Sequence, residues 1–298
     1  MQISSNLMFD RSSSRMSQLM ATATKLNVQI ATGKKISTPS ENVTVAQQIA
    51  EFDRKDADAA AYAINLKLSE SLLKQADSTL GQITEQLQRA TDLVTQAATG
   101  TLSDSNRKVI GSELSALVDA MVGLGNTKDL RGQPLFGSAS GTDAVIRNAN
   151  GTFTYNTAPK LSEIPIGDGL TVQPTETASR VFNSGAGDTL AMLAQLASAL
   201  QTGTDQAGAA RDALAPLKAA GDQVSVVQAS VGARAARVDL QQGLLQSTNL
   251  DRAELRSSME DIDVTETYAE LSKTLTILSA TQQSFSKLSQ LSLFNYLR

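Results

Sequence analysis

A long run of regularly spaced apolar residues decides the fold of this chain. It occupies residues 52–94 and reads FDRKDADAAAYAINLKLSESLLKQADSTLGQITEQLQRATDLV. An apolar residue recurs at every seventh position, at Phe52, Ala59, Leu66, Leu73, Leu80, Leu87 and Val94. A companion line three residues further on holds Tyr62, Ala76, Ile83, Ala90 and Ala97, with Ser69 as its polar exception. This spacing is typical of a coiled-coil seam and predicts a helix that buries one stripe.

The predicted helix is unusually long. No proline lies between Val43 and Gly100, so we predict one helix of about 55 residues, about 80 Å long at a rise of 1.5 Å per residue. A helix of that length indicates a rod. Ser40 is predicted to cap its start and Gly100 to end it, and Ser103 or Asp104 to cap a shorter helix that reaches about Gly125.

The C-terminal half mirrors this pattern. Apolar residues recur there at seven-residue intervals, at Leu217, Val224, Val231, Val238 and Leu245. The simplest arrangement pairs the two long limbs antiparallel. Each end of the chain adds a shorter outer seam with spacings of three and four. The N-terminal outer seam holds Met16, Leu19, Ala23, Leu26 and Ile30, and the C-terminal one holds Val264, Tyr268, Leu271, Leu275, Leu278, Gln282 and Phe285.

The middle of the chain has a different character. Four of the six prolines lie within residues 132–182, where Phe153 and Tyr155 alternate with threonines beside the turn Asn150-Gly151. This pattern predicts short strands joined by tight turns, with a second turn at Gly167-Asp168-Gly169. The predicted fold class is therefore mainly α. An elongated antiparallel helical rod or coiled coil is formed by the N- and C-terminal limbs, with a small β-rich insert domain at its tip.

Three domains follow from these patterns. We predict a terminal coiled-coil assembly domain from residues 1–40 and 264–298. A helical rod domain is predicted from residues 41–131 and 183–263, and a β-rich insert domain from residues 132–182.

The composition excludes several classes of function. The 298 residues contain no histidine and no cysteine, which removes the commonest general base, the commonest metal ligand and the thiolate nucleophile. We therefore predict no enzymatic activity, no metal site and no cofactor. A net charge of −4 without a basic tract argues against nucleic acid as a partner. The longest apolar stretch, Leu190 to Leu200, is too short for the roughly 20 residues that cross a bilayer, so no membrane partner is predicted.

One acidic cluster, formed by Glu260, Asp261 and Asp263, separates the last two predicted helices. It lacks the spacing of a calcium-binding loop. We therefore interpret it as a solvated break between helices.

The two outer seams are the candidate functional surface. A single short pair of helices at the end of a rod buries too little apolar area to be stable alone, so neighbouring subunits are expected to complete it. The predicted assembly interface consists of Met16, Leu19, Leu26, Ile30, Tyr268, Leu271, Leu275, Leu278, Phe285 and Leu288.

Four motifs carry a resemblance to a known family. They are TGKKISTPS at residues 32–40, GTLSDSNR at residues 100–107, GQPLFG at residues 132–137, and the C-terminal segment from QSFSKL at residue 283 to SLFNYL at residue 297. In order and spacing they resemble the flagellar hook-filament junction proteins (hook-associated protein type 3) of the flagellin-like family, over nearly the whole chain. The chain departs from the family pattern in two places. After Pro39-Ser40 the family usually has an acidic pair and a proline, whereas this chain has Glu41-Asn42-Val43. Pro134 stands where tyrosine or a similar residue is common.

The resemblance implies a structural subunit of the bacterial flagellum. It implies type III export to a secreted, extracellular location, and self-assembly of the terminal helices to join hook and filament. The implied partners are a homo-oligomeric ring, a hook-side junction protein, flagellin and an export chaperone that recognises the C-terminal helix. Two alternatives stay open: a filament flagellin, and a secreted rod-shaped effector that carries its activity in the insert.

Overall fold

The protein is represented by a computed structural model that describes residues 2–129, 131–137, 142–156 and 162–296, without the side chains of 2–6, 8 and 288–296. The chain divides into two compact units. We call Met1–Ala57 with Ser247–Arg298 the terminal unit, and Asp58–Gln246 the central unit.

Helices dominate the described residues. Their bounds are α1 Gln2–Thr32, α2 Val43–Ala97, α3 Asp104–Gly125, α4 Ala178–Phe182, α5 Thr189–Thr202, α6 Gln206–Glu260 and α7 Val264–Tyr296. Both α2 and α6 contain 55 residues. The long helix predicted from the heptad pattern is confirmed, as is the break between the last two helices.

Polar side chains define where the helices begin. Ser103 accepts a hydrogen bond from the backbone N–H of Asn106, which confirms it as the N-cap of α3. The expectation that Ser40 caps α2 is wrong. Asn42 lies directly before α2 and accepts from the N–H of Val45, because α2 begins two residues later than a cap at Ser40 would require.

The core of the central unit follows the predicted stripes. Leu66, Leu73, Leu80 and Val94 of α2 are 0% exposed. The heptad valines of α6 lie in the same hydrophobic cluster. Gln228 of α6 donates to Asp77, and Gln242 of α6 donates to Glu70. Because higher numbers on α6 meet lower numbers on α2, the two helices run antiparallel in this unit.

The described residues between 142 and 188 include three small antiparallel hairpins. β1 Val145–Arg147 pairs with β2 Phe153–Tyr155, β3 Ile164–Gly167 with β4 Leu170–Val172, and β5 Asn183–Ser184 with β6 Gly187–Asp188. The strands of the described residues stay in separate two-stranded sheets. The predicted turns at Asn150-Gly151 and at residues 167–169 are confirmed, since each joins two paired strands.

The hairpins pack into the core of the helices. Phe136, Phe153, Ile166 and Phe182 belong to the same buried cluster as the α2 leucines. A Cβ added to Gly125 of α3 would lie 2.9 Å from Val145 Cγ2 and 3.0 Å from Phe182 Cε2, so only glycine permits this approach. The predicted insert therefore draws its burial from the central helices, and its standing as an independent domain stays a prediction.

Two polar contacts fix the insert to the helices of the central unit. The buried carboxylate of Glu176 accepts hydrogen bonds from Arg180 and, at 2.6 Å, from Arg234 of α6. The Tyr155 hydroxyl donates to Asp188 at 2.7 Å, and the same carboxylate caps α5. Burial, reinforced by this hydrogen bond, raises the pKa of Tyr155 far above its usual value.

Candidate assembly surface

The terminal unit is built around the pairing of α1 with α7. Ala23 and Leu26 of α1 form a buried cluster with Leu271 of α7, and Ile30 packs against it. Further along, the rings of Phe9 and Phe285 meet edge to face with centroids 4.9 Å apart. Low numbers on α1 meet high numbers on α7, so the pair is antiparallel.

Threonines occupy half of the α7 seam. If Leu271, Leu278 and Phe285 are placed at heptad position a, then Thr267, Thr274 and Thr281 occupy position d. Thr267 and Thr274 are 9% and 7% exposed. The hydroxyl of Thr267 donates to the Asp263 carbonyl at 2.7 Å, and that of Thr281 to the Ile277 carbonyl at 2.8 Å. Because a threonine hydroxyl can bond to its own helix, it fits an otherwise apolar seam.

The structure divides the predicted interface residues into groups. Leu26, Leu271 and Leu278 are buried, and Met16, Leu19, Ile30 and Phe285 are half-buried. Tyr268 and Leu275 are exposed by 65% and 47%. Leu288 lies outside the described side chains. The expectation that Leu271 and Leu278 need neighbouring subunits for burial is wrong, because both are already buried within the single chain.

An uncovered apolar row lies beside the seam on α7. It consists of Val264, Tyr268 and Leu275, exposed by 56%, 65% and 47%. Spacings of four and seven place these side chains on one side of the helix, next to the buried row. Sequence reasoning merged the two rows because it counted apolar residues and passed over Thr267 and Thr274. We call Val264, Tyr268 and Leu275 the α7 flank.

Other apolar side chains of the terminal unit are also exposed. They are Leu7, Met20 and Val28 of α1, Val43 of α2, Leu250 and Leu255 of α6, and Ile277 of α7. Scattered exposed apolar residues are common on soluble proteins, but the α7 flank places three of them on one side of a single helix. It is therefore the best candidate for contact with another molecule.

The acidic residues at the end of α6 and before α7 have structural partners. Glu260 forms an ion pair with Lys34 at 3.2 Å, and Asp263 accepts hydrogen bonds from the first N–H groups of α7. Among the residues described, no group of three or more acidic side chains is arranged to hold a metal ion. Nor does any described helix combine the length and apolarity needed to cross a bilayer.

The two helical limbs match the two halves of one family. A family model for the bacterial flagellin N-terminal helical region matches residues 3–140. A second, for the bacterial flagellin C-terminal helical region, matches residues 214–297. The chain belongs to the flagellin-like family. The second match includes the whole α7 flank of this flagellin-like chain.

Individual relatives show which flagellar proteins the chain resembles. Flagellar hook-associated protein 3 of Salmonella typhimurium is 27% identical over 184 residues, which span 62% of this chain and 57% of that protein. Flagellar hook-associated protein 3 of Escherichia coli is 22% identical over 99% of both chains. The crystal structure of flagellar hook-associated protein 3 from Legionella pneumophila has the same fold. It gives a TM-score of 0.66 at 15% identity and covers 71% of this chain and 98% of that one.

Proposed function

We propose that this flagellin-like chain is a structural subunit of the bacterial flagellum that joins hook and filament by self-assembly of its terminal helices. The observation that carries the proposal is the α7 flank, an apolar row left uncovered beside a thin, threonine-rich seam. The family membership supplies the flagellar context. Similarity to the Escherichia coli hook-associated protein over 99% of both chains, and to the Salmonella protein over 62% of this chain, favours the junction over the filament.

A second copy of the chain is the proposed occupant of the α7 flank. Burying one leucine side chain contributes about 1.5–3 kcal/mol, and each subunit of an assembly gains this at every contact it makes. A contact between unlike surfaces generates a ring or a helical array. A ring of copies between hook and filament therefore accounts for an apolar row that a lone chain leaves in water.

The remaining partners are proposed on the same basis. A hook-side junction protein and flagellin would adjoin the two sides of the ring. Before assembly the α7 flank would need cover, because an exposed apolar row favours aggregation. An export chaperone that binds α7 would provide that cover until the chain leaves the cell by type III export. The mature location is then the extracellular flagellum.

Charge placed on the α7 flank tests the proposal. Leu275→Asp would put an unpaired carboxylate into the subunit contact, which costs several kcal/mol per subunit. We expect monomer melting near that of the parent and filaments that are lost or shed. Ala269→Asp, on another exposed side of α7, is the matched control and should assemble normally. Normal filaments with Leu275→Asp would contradict the proposal. Secreted protein must be measured separately, because a chaperone on α7 would respond to the same change.

The number of copies of the protein per flagellum distinguishes a junction protein from a filament flagellin and from a secreted effector. In purified flagella a junction protein should be present in about a ring's worth of copies, whereas a filament flagellin would dominate the preparation. A secreted effector would be absent from washed flagella. Quantitative mass spectrometry of flagella sheared from cells measures this directly.

A further inference from the structure

The two loops of the terminal unit are hydrogen-bonded to each other. One joins α1 to α2 and the other joins α6 to α7. Lys35 N–H donates to the Glu260 carbonyl at 2.6 Å, and Ile262 N–H donates to the Gly33 carbonyl at 3.1 Å. Lys34 and Asp261 form the resulting antiparallel bridge. We call residues 33–35 with residues 260–262 the strap.

Side chains reinforce the strap from both loops. The Lys34 ammonium lies 3.2 Å from the Glu260 carboxylate, whose side chain is only 13% exposed. The Lys35 ammonium donates to the Ser258 carbonyl at 3.0 Å, and the Gln29 amide donates to the Lys35 carbonyl at 2.7 Å. These contacts link the end of α1 to the end of α6 across more than 200 residues of sequence.

Four helix ends converge on the strap, and each is satisfied within it or by an adjacent residue. Gly33, with φ of +73°, closes α1 through its N–H to the Gln29 carbonyl at 2.8 Å. Asn42 caps the start of α2 and Asp263 caps the start of α7. At the end of α6, the Glu260 carbonyl accepts from the N–H of Lys35 in the other loop. The strap therefore supplies a hydrogen bond that closes α6.

We propose that Lys34 and Glu260 are positioning residues for self-assembly, which hold the α1–α7 pair at one angle to the adjoining turns of α2 and α6 in the terminal unit. The inference rests on the proposed function, since it concerns how the α7 flank is presented to the next copy. Without the strap, each loop would be a separate flexible connection and the pair would sample many orientations.

The expected effect of opening the strap on assembly depends on the fraction of chains that keep the competent orientation. If only a fraction of chains holds the α1–α7 pair at the competent angle, the concentration needed for assembly rises by the inverse of that fraction. An ion pair whose ammonium group is solvated, as that of Lys34 is, adds little to the stability of a folded unit. The strap should therefore influence assembly much more than melting, which separates a positioning role from a structural one.

Charge reversal and charge exchange test the strap. Glu260→Lys places a third ammonium beside Lys34 and Lys35, so it should open the strap. We expect the concentration required for polymerisation in vitro to rise about tenfold or more, with monomer melting unchanged. The exchange of both charges, Lys34→Glu with Glu260→Lys, should return it to within about threefold of the parent. Glu254→Lys, at an exposed position of α6, makes the same charge change outside the strap and should have no effect.

A distance measurement reports on the strap directly. The chain contains no cysteine, so spin labels can be placed at Ser13→Cys in α1 and Asp251→Cys in α6, both in the terminal unit. Glu260→Lys should broaden the distance distribution, and the charge exchange should narrow it again. Parent-like assembly of Glu260→Lys, or an exchange that restores nothing, would overturn the strap proposal alone. Parent-like assembly of Leu275→Asp would instead overturn the proposed function.

Discussion

The two long limbs and the two short terminal helices use the same heptad spacing with different results. In the central unit, α2 and α6 contact α3, α5 and the hairpins, and their seam residues reach 0% exposure. In the terminal unit, α1 and α7 contact mainly each other, and among the side chains described there only Ala23, Leu26 and Leu271 form a buried cluster. A seam is buried on several sides in the first case and on one side in the second.

This difference teaches what a heptad pattern specifies. The pattern specifies which stripe of a helix is apolar. The number of helices and hairpins packed around that stripe decides how much of it is shielded from water. Where the chain supplies three or more layers, the apolar stripe becomes an internal core. Where it supplies two helices, the flank of the stripe stays available to another molecule, as at Tyr268 and Leu275.

The largest expected effect comes from a charge in the central core. Leu73→Asp would bury a carboxylate at a site that is 0% exposed. Its cost should exceed about 5 kcal/mol, which is comparable to the whole stability of many domains. We expect loss of the cooperative unfolding transition measured by circular dichroism. Ser71→Asp, exposed on the same helix, is the control and should melt like the parent.

A smaller effect is expected where the hairpins meet the helices. Phe182 is 1% exposed and stacks on Tyr155 with centroids 6.3 Å apart. Phe182→Ala should cost about 3–5 kcal/mol and shift the urea midpoint of the helical signal. Ile146→Ala, truncating a side chain that is 45% exposed, should shift it little. If Phe182→Ala left the urea midpoint of the helical signal unchanged, the insert would fold independently of the helices.

The smallest change in global stability is expected in the terminal seam. Leu271→Ala removes contacts with α1, so amide hydrogen exchange should accelerate in α1 and α7. The unfolding midpoint of the central unit should stay unchanged. Leu275→Ala, on the uncovered flank, should alter neither quantity in the free chain. Equal exchange rates in the two variants would remove the distinction between the seam and its flank.

Much of the fold could be predicted from the sequence because its signals are long and local. A seven-residue repeat sustained from Phe52 to Val94 predicts one helix, and Ser103 marks where the next begins. Asn150-Gly151 likewise predicts a hairpin turn. The cap of α2 was misplaced because Ser40 and Asn42 are both good capping residues, and the path of the loop decides between them.

The candidate site was only partly predictable, for two physical reasons. Thr274 belongs to the seam because the residues around it exclude water. The identity of the residue as threonine does not indicate this burial. The contact between Lys34 and Glu260 depends on two loops far apart in sequence. Similarly, Arg234 of α6 contacts the insert through an ion pair with Glu176 and hydrogen bonds to the carbonyls of Gln173 and Thr175. None of these residues stands out in its local sequence.

The hydrogen bond between Tyr155 and Asp188 gives the protein a built-in optical reporter. The chain has four tyrosines and no tryptophan, so near-ultraviolet absorbance above 280 nm comes from tyrosine alone. Because the pKa of Tyr155 is raised in the folded chain, the stability this group contributes is present below about pH 10, its unfolded value, and declines at higher pH. In an alkaline titration, the tyrosinate band of Tyr155 should grow only as the central unit unfolds. A spectrophotometer can thus follow this unit without any added dye.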